Sequence, residues 1–138
     1  MNAVSFTDNS VKVTAAIREK CIAYLYECGA ELQSATVRNQ KKNTDTGQTA
    51  GSWTCKVDEA ELVAQIGSPL ENAVWEEFGT GQYALNGDGR KTPWVYKDDK
   101  GKWHRTIGKK PRRHLYRAFA ANKDKIQKYL ERKLGELK

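Results

Sequence analysis

Residues 73–81 read AVWEEFGTG, and the rest of the chain is organised around this stretch. An apolar pair leads into two acids, an aromatic residue and then Gly79-Thr80-Gly81. The net charge changes sign here. Residues 1–80 carry 7 Lys/Arg and 11 Asp/Glu, net −4, whereas residues 81–138 carry 17 and 6, net +11. The stretch therefore separates an acidic part of the chain from a basic part.

The composition is that of a small domain with a modest core. The chain has 138 residues, of which 38% are hydrophobic and 30% are charged, and its sequence pI is near 9.3. This length suits one core, so residues 1–138 are predicted to form a single domain. The basic balance would suit nucleic acid or an acidic protein partner.

Nothing in the sequence predicts a membrane or secretory role. No apolar run approaches the roughly 20 residues of a transmembrane helix, and MNAVSFTDNS lacks the pattern of a signal peptide. Cys21 and Cys28 lie two helical turns apart, roughly 10 Å, which is beyond the reach of a disulfide. No CxxC motif or Cys/His cluster occurs. We therefore expect synthesis in a reducing cytoplasm, with no metal and no cofactor.

Two apolar stripes of helical period predict the first and last elements of the fold. One predicts a long helix over about residues 11–39. The other, which includes Leu115 and Phe119, predicts a helix over about 111–134 with Pro111 in its first turn. Residues 1–9 are expected to be a flexible lead.

Four strand-like runs predict an antiparallel sheet between these helices. The runs are residues 53–57, 61–66, 94–96 and 102–107, which pair as two hairpins. Ser68 and Glu71 resemble a capping box, which favours a short helix up to Glu77 that Gly79 ends. The predicted class is α+β: a small antiparallel sheet of about four strands, flanked by a long N-terminal helix and a C-terminal helix.

Two polar stretches are predicted to be mobile loops. Residues 39–52 contain no large apolar residue and many turn formers. Residues 81–92 contain the run NGDG, which is a strong turn signal.

No motif indicates an enzyme. Glu76 and Glu77 are adjacent, and neighbours on a helix point about 100° apart, so they do not form a close carboxylate dyad. His104 and His114 are too few for a metal site, and a general-base role would need an orienting partner. No phosphate-binding or dinucleotide-binding glycine motif occurs. An acid/base role for Glu76 or Glu77 stays a minor alternative.

The strongest charge signal is the run KKPRRHLYR at residues 109–117, which we call the basic segment. Its Lys and Arg residues are Lys109, Lys110, Arg112, Arg113 and Arg117. It could contact DNA phosphates, form a solvated face, or pair with Glu76 and Glu77 of a neighbouring copy. The opposite charges of the two halves favour an interface. No sequence-reading motif, such as a helix-turn-helix, is present.

The order of these segments resembles the tail-completion, or head–tail joining, protein family of long-tailed double-stranded DNA phages. Members begin with a long amphipathic helix, which is followed by a Thr-Gly pair before a strand hairpin. Next comes a segment that ends in the four residues glutamate, aromatic, Gly and Thr. A basic stretch that contains Pro then precedes the last helix. Here the matching stretches are Thr46-Gly47, Ala73–Thr80 and Gly108–Phe119. The resemblance covers most of residues 11–130.

The resemblance implies a virion structural protein of the neck or tail end, made in the host cytoplasm. It would join the tail to the DNA-filled head as a ring, which is typically sixfold in related proteins. Implied partners are further copies of the chain, a head-closure or connector protein, and a tail-terminator or tail-tube protein. DNA would pass through the channel without sequence recognition. The alternative is a DNA-binding module of a mobile element that uses the basic C-terminal region.

On this resemblance the candidate residues have structural roles. Glu76, Glu77 and the cations of the basic segment would form the subunit or partner interface. Gly79 and Gly81 would act as a backbone hinge, because glycine permits paths closed to larger residues. Glu77 is expected to accept hydrogen bonds from backbone N–H groups or from a cation of the basic segment.

The two predicted loops are candidates for docking to neighbouring subunits, ordered only on assembly. The candidate docking positions are Thr46, Gly47, Asn86 and Gly87.

Overall fold

A computed structural model describes residues 3–42 and 47–137. The helices are α1 (Ser10–Lys41), α2 (Gln48–Gly51), α3 (Glu71–Phe78) and α4 (His114–Gly135), with a 3₁₀ turn at Gly81–Tyr83. The strands are β1 (Thr54–Asp58), β2 (Val63–Gly67), β3 (Trp94–Lys97) and β4 (Trp103–Thr106). The predicted α+β class is confirmed, with a long N-terminal and a C-terminal helix.

The strands form two separate sheets of two strands each, so the prediction of one sheet of about four strands was wrong. Each sheet is an antiparallel hairpin: Cys55 lies opposite Ile66 in one, and Tyr96 lies opposite His104 in the other. The β1–β2 hairpin packs on α1. In the described part of the chain, no other helix or strand brings a Cα atom within 8 Å of β3 or β4. The hairpin signals specified pairing within each hairpin but nothing between them.

The two long helices pack antiparallel, and ion pairs run along their contact. Arg132 lies 3.3 Å from Glu27, Lys125 lies 3.2 Å from Glu31, and Lys20 lies 3.0 Å from Glu136. Exposed pairs of this kind contribute only about 0–1 kcal/mol each. Two of them, Arg132–Glu27 and Lys125–Glu31, join acids of the first part of the chain to cations of the second part, so part of the charge asymmetry is satisfied inside one chain.

A small core surrounds the C-terminal half of α1. Its buried apolar residues are Cys28, Ala35, Ala50, Trp53, Ala73 and Ala118. The helix runs unbroken through Gly29, where a Cβ atom would collide with the Cys55 sulfur, so glycine allows β1 to approach closely. The indole N–H of Trp53 donates to the Gln40 side-chain oxygen at 2.6 Å. This bond satisfies the polar atom of the largest core residue.

Several predicted boundaries differ from the structure. Helix α1 extends to Lys41 and α2 occupies Gln48–Gly51, so much of the predicted 39–52 loop is helical. The Thr46 docking position lies outside the described residues. The predicted capping box was wrong. Such a box needs the glutamate at the third position of the helix, but Glu71 is the first residue of α3. Ser68 Oγ instead accepts a hydrogen bond from the Leu70 N–H.

Helix α4 begins at His114, three residues later than predicted. Pro111 therefore lies ahead of the helix, and the residue before the helix, Arg113, has a left-handed backbone with φ +55°. Within residues 3–42 and 47–137, no helix is long and apolar enough to cross a bilayer.

Candidate functional site

The end of α3 and the start of α4 form a buried polar joint, built from the two sequence stretches singled out above. Glu76 and Glu77 occupy the last turn of α3 and are only 8% and 5% exposed. Because adjacent helix positions point about 100° apart, the two carboxylates reach different parts of the basic segment. We call Glu76, Glu77 and the residues that they contact the joint.

Glu77 caps helix α4 from a different element. Its Oε2 atom accepts a hydrogen bond of 2.9 Å from the Leu115 N–H, and its Oε1 atom accepts one of 3.0 Å from the Tyr116 N–H. These residues are the second and third of α4, whose N–H groups have no partner within the helix. The Arg113 Nε atom also lies 3.5 Å from Oε1. The contacts confirm the expectation for Glu77.

Helix α4 needs this outside cap because the residue that precedes the helix supplies none. Arg113 precedes the helix and makes no side-chain capping hydrogen bond. A Ser, Thr, Asp or Asn at this place would ordinarily accept from the second or third N–H. The Glu77 carboxylate takes over that role and also places a negative charge at the positive end of the helix dipole.

Glu76 joins the cations on the other side of the joint. Its Oε1 atom pairs with the Lys109 ammonium, and its Oε2 atom lies 3.5 Å from the Arg112 guanidinium. The Arg112 N–H also donates to the Glu76 carbonyl oxygen at 2.7 Å. Side chain and backbone together fasten the stretch before α4 to the end of α3.

His114 is the fully buried centre of the joint, with 0% exposure. Its Nε2 atom lies 3.3 Å from Glu76 Oε2, and its Nδ1 atom lies 3.3 Å from an Arg117 guanidinium nitrogen. A guanidinium only donates and a carboxylate only accepts, so the ring proton is on Nε2 in neutral His114. Burial, with help from the positive charge of Arg117, lowers the His114 pKa below 6.5.

Two glycines allow residues 79–82 and 107–109 to approach closely beside the joint. We call this close approach of two backbone segments the crossing. Gly79 and Gly81 have φ values of +76° and +60°, in the left-handed region that favours glycine. A Cβ atom at Gly79 would lie 2.9 Å from the Lys109 carbonyl oxygen, and one at Gly81 would collide with the Ile107 carbonyl oxygen. Their contribution is close packing of two backbone segments. A hinge motion at these glycines stays a prediction.

The crossing is held by backbone hydrogen bonds. The Thr80 N–H donates to the Lys109 carbonyl at 2.9 Å, and the Gln82 N–H donates to the Ile107 carbonyl at 3.1 Å. The Lys109 N–H in turn donates to Thr80 Oγ1 at 2.8 Å. Residues 80–82 and 107–109 are thus joined where the chain leaves the joint and where it returns.

Every Lys and Arg of the basic segment contacts a partner in the same chain. Lys109, Arg112 and Arg113 face the two acids, and Arg117 contacts His114. The Lys110 ammonium lies 5.6 Å from the centre of the Tyr83 ring. The structure thus brings Glu76 and Glu77 together with these cations inside one chain. A contact of the same residues with a neighbouring copy stays a prediction.

The joint is bordered by apolar side chains that remain partly exposed. They are Val74, Trp75, Phe78, Tyr116 and Phe119, with exposures from 42% to 56%. All five belong to two of the three stretches that carry the family resemblance, Ala73–Thr80 and Gly108–Phe119. We call this group the apolar rim.

The candidate docking positions lie apart from the joint contacts. Gly87 forms a turn with φ +72°, and its N–H donates to the Ala84 carbonyl at 3.1 Å. Gly47 precedes α2 with φ +75°. Docking at these positions or at Asn86 stays a prediction.

Sequence reasoning missed His114 as part of the joint, and it missed Asn39 and Thr80, which contact His114 and Lys109 of the joint. Asn39, near the end of α1, donates to the His114 carbonyl oxygen at 3.0 Å and links the long helix to the joint. A signal was present for His114: it lies four residues before Ala118, which is also buried, so both are on one face of α4. The predicted stripe through Leu115 and Phe119 placed the buried face about one position too late.

The joint is suited to holding elements together rather than to transforming a substrate. Its carboxylates are occupied by N–H groups and cations, and its histidine is sealed from solvent. Among the described residues, no group of three or more His, Cys, Asp or Glu side chains could hold a metal ion.

Comparisons of the sequence with protein-family models, with curated proteins and with solved structures find no match. The family resemblance therefore stays a prediction that rests on the sequence motifs.

Proposed function

We propose that this chain is a structural protein of a phage virion, located at the neck or tail end, where copies assemble as a ring that joins the tail to the DNA-filled head. The proposal rests on the motif resemblance. One observation in the fold supports it: the two motif stretches divide their side chains between the buried joint and the apolar rim.

The apolar rim is the part of this observation that bears on assembly. The joint makes the rim rigid, because Glu77 and Glu76 fix α3 against α4 on the buried side. A surface fixed in this way that carries Phe78 and Tyr116 loses little conformational entropy on binding. Val74, Phe78, Tyr116 and Phe119 line one open cleft of about 420 Å³, and exposed apolar side chains grouped in this way mark protein-binding surfaces.

The charge argument for a ring is weaker in the folded chain than in the sequence. Ion pairs along α1 and α4, and within the joint, use many of the opposite charges internally. A ring would therefore be held by apolar surface and by charges outside these pairs. Head-closure, tail-terminator or tail-tube proteins would be further partners of the assembled ring.

The alternative, a DNA-binding module, receives less support. The arginines of the basic segment are engaged by Glu76, Glu77 and His114, and two of its cations lie over aromatic rings. Phosphate contact would have to compete with these partners. Lys123 and Lys128 on α4 are exposed cations that could still contact a phosphate backbone.

The test is a deletion of this gene in the phage or prophage that encodes it. The proposed role predicts DNA-filled heads and separate finished tails in lysates, seen by electron microscopy, with joining restored when purified chain is added. Intact, infectious virions without the protein would overturn the proposal. If the chain is instead a DNA-binding module, purified protein should retard duplex DNA at low salt with a steep salt dependence.

A further inference from the structure

The β3–β4 hairpin has one face that the rest of the described chain does not cover. In its register Val95 lies opposite Arg105, and Lys97 lies opposite Trp103. Cross-strand partners, and residues two apart on one strand, share a face of a sheet. We call these four residues the outer hairpin face. Val95 is 62% exposed and Trp103 is 66% exposed.

The opposite face of the hairpin already has neighbours. Trp94, Tyr96 and Thr106 help to line a cleft of about 590 Å³ that also contains Trp75 and Lys109. The hairpin thus turns one side towards the joint and the other towards solvent.

The outer hairpin face has the chemistry of a protein contact. Trp and Arg contribute most to binding free energy at protein interfaces, and both are present here. The Lys97 ammonium lies 5.9 Å from the centre of the Trp103 ring, so the cation and the aromatic surface are presented together. Arg105 is exposed and takes part in no ion pair within the described residues. A complementary partner would combine acids with apolar surface.

The turn of the β1–β2 hairpin offers that combination. A groove of about 570 Å³ at this turn, which we call the acidic groove, is lined by three acids and one lysine together with Val57, Val63 and Gln65; the charged residues are Asp58, Glu59, Glu61 and Lys56. Val63 is 42% exposed. Glu61 is exposed and has no ion-pair partner within the described residues. The Glu61 carboxylate is thus available to a cation from outside.

Within one molecule, the outer hairpin face does not reach the acidic groove. No Cα atom of β3 or β4 lies within 8 Å of β1 or β2 in the described structure. The two surfaces face different surroundings on one molecule, so they can meet only between molecules.

We propose that the outer hairpin face of one copy docks into the acidic groove of a second copy. Trp103 would cover Val63, and Arg105 would pair with Glu61. Because the two surfaces differ, the contact is heterologous and generates a closed ring or an open filament. This inference requires only a second copy and does not depend on the virion role.

Charge exchange tests the contact in the full-length chain. Arg105→Glu and Glu61→Arg should each weaken self-association by at least about tenfold in sedimentation velocity at low salt, because each places like charges together. An equal mixture of the two variants should recover association to within about threefold of the native chain. Each contact in that mixture can again join opposite charges. Lys123→Glu, an equal charge reversal on exposed α4, should leave association unchanged.

Three results would overturn the inference. They are no self-association of the native chain, association of either variant as strong as that of the native chain, or no recovery in the mixture. Melting curves of the separate variants show whether each is folded. They therefore distinguish loss of the contact from loss of the fold. If Arg105→Glu instead abolishes binding of single-stranded DNA and leaves self-association intact, the face is a nucleic-acid platform and the inference is wrong.

The proposed function can fail separately. Joined virions in the absence of this protein would contradict the neck role without affecting the charge-exchange experiment. Unjoined virions, together with no recovery in the mixture of variants, would contradict only the hairpin contact.

Discussion

Glu77 accepts a hydrogen bond of 2.9 Å from the backbone N–H of Leu115, a residue 38 positions later in the chain. Together with the bond from the Tyr116 N–H, this gives α4 a cap that lies outside its own sequence. The start of α4 therefore depends on α3 being in place.

Removing that cap should destabilise the protein. Glu77→Ala leaves two N–H groups in a partly buried site without an acceptor, so the free energy of unfolding should fall by about 1–3 kcal/mol. Glu77→Gln keeps one acceptor oxygen and should fall between Ala and the native chain. Urea denaturation measures the difference. Glu71→Ala, at the exposed start of the same helix, is the control; an equal loss there would contradict the cap.

Stability should fall as pH decreases below 6.5 because of His114. Burial lowers the pKa of this histidine in the folded state, so the unfolded chain binds more protons as pH falls from 6.5 towards the folded pKa. The contribution is complete above 6.5 and is lost below it, at no more than about 1.4 kcal/mol per pH unit.

Melting curves between pH 7.5 and 5.5 check this dependence. His114→Gln should be less stable at high pH and should show a smaller decrease over the range. Gln40→Met, which alters the core without removing a titratable group, should keep the native slope. Identical slopes in the native chain and His114→Gln would rule out the assignment.

Gly81→Ala should cost at least about 2 kcal/mol. The residue has φ +60°, and an added Cβ atom would collide with the Ile107 carbonyl oxygen, so both the backbone and the crossing would have to shift. Gly51→Ala is the matched control: Gly51 lies in α2 with open space around it, and there alanine should be neutral or stabilising by up to about 1 kcal/mol. Thermal denaturation distinguishes them; equal effects would argue against the crossing.

Gln40→Met should destabilise the core by about 1–3 kcal/mol. Methionine has a similar length but leaves the buried Trp53 indole N–H without its oxygen acceptor. Gln127→Met on exposed α4 should change stability by less than about 0.5 kcal/mol. Chemical denaturation followed by Trp fluorescence reports both. An unaffected Gln40→Met variant would show that the bond contributes little.

Local patterns predicted the elements well because their causes are local. The apolar repeat before Lys41 predicted α1, and alternation predicted both hairpins to within about two residues. Glu77 could also be predicted to accept hydrogen bonds. It is a carboxylate close to Gly79, and the basic segment supplies cations that can donate to it.

The arrangement of those elements was not in the local pattern. The rotation of α4 follows from the Glu77 cap and from Asn39, which donates to the His114 carbonyl. These long-range contacts bury His114 and Ala118 and leave Phe119 46% exposed, although the apolar stripe favoured Phe119 for the core. The separation of the two sheets likewise depends on which hairpin packs against α1.

The paired backbone at residues 80–82 and 107–109 has a consequence for how this chain can change. The segment between these points begins and ends at nearly the same place, because its two ends are hydrogen-bonded to each other. Lengthening such an excursion costs little, about 0.6 kcal/mol for each doubling. Evolution can therefore replace the β3–β4 hairpin by a longer, shorter or differently charged one while the backbone pairing of residues 80–82 with 107–109 is kept.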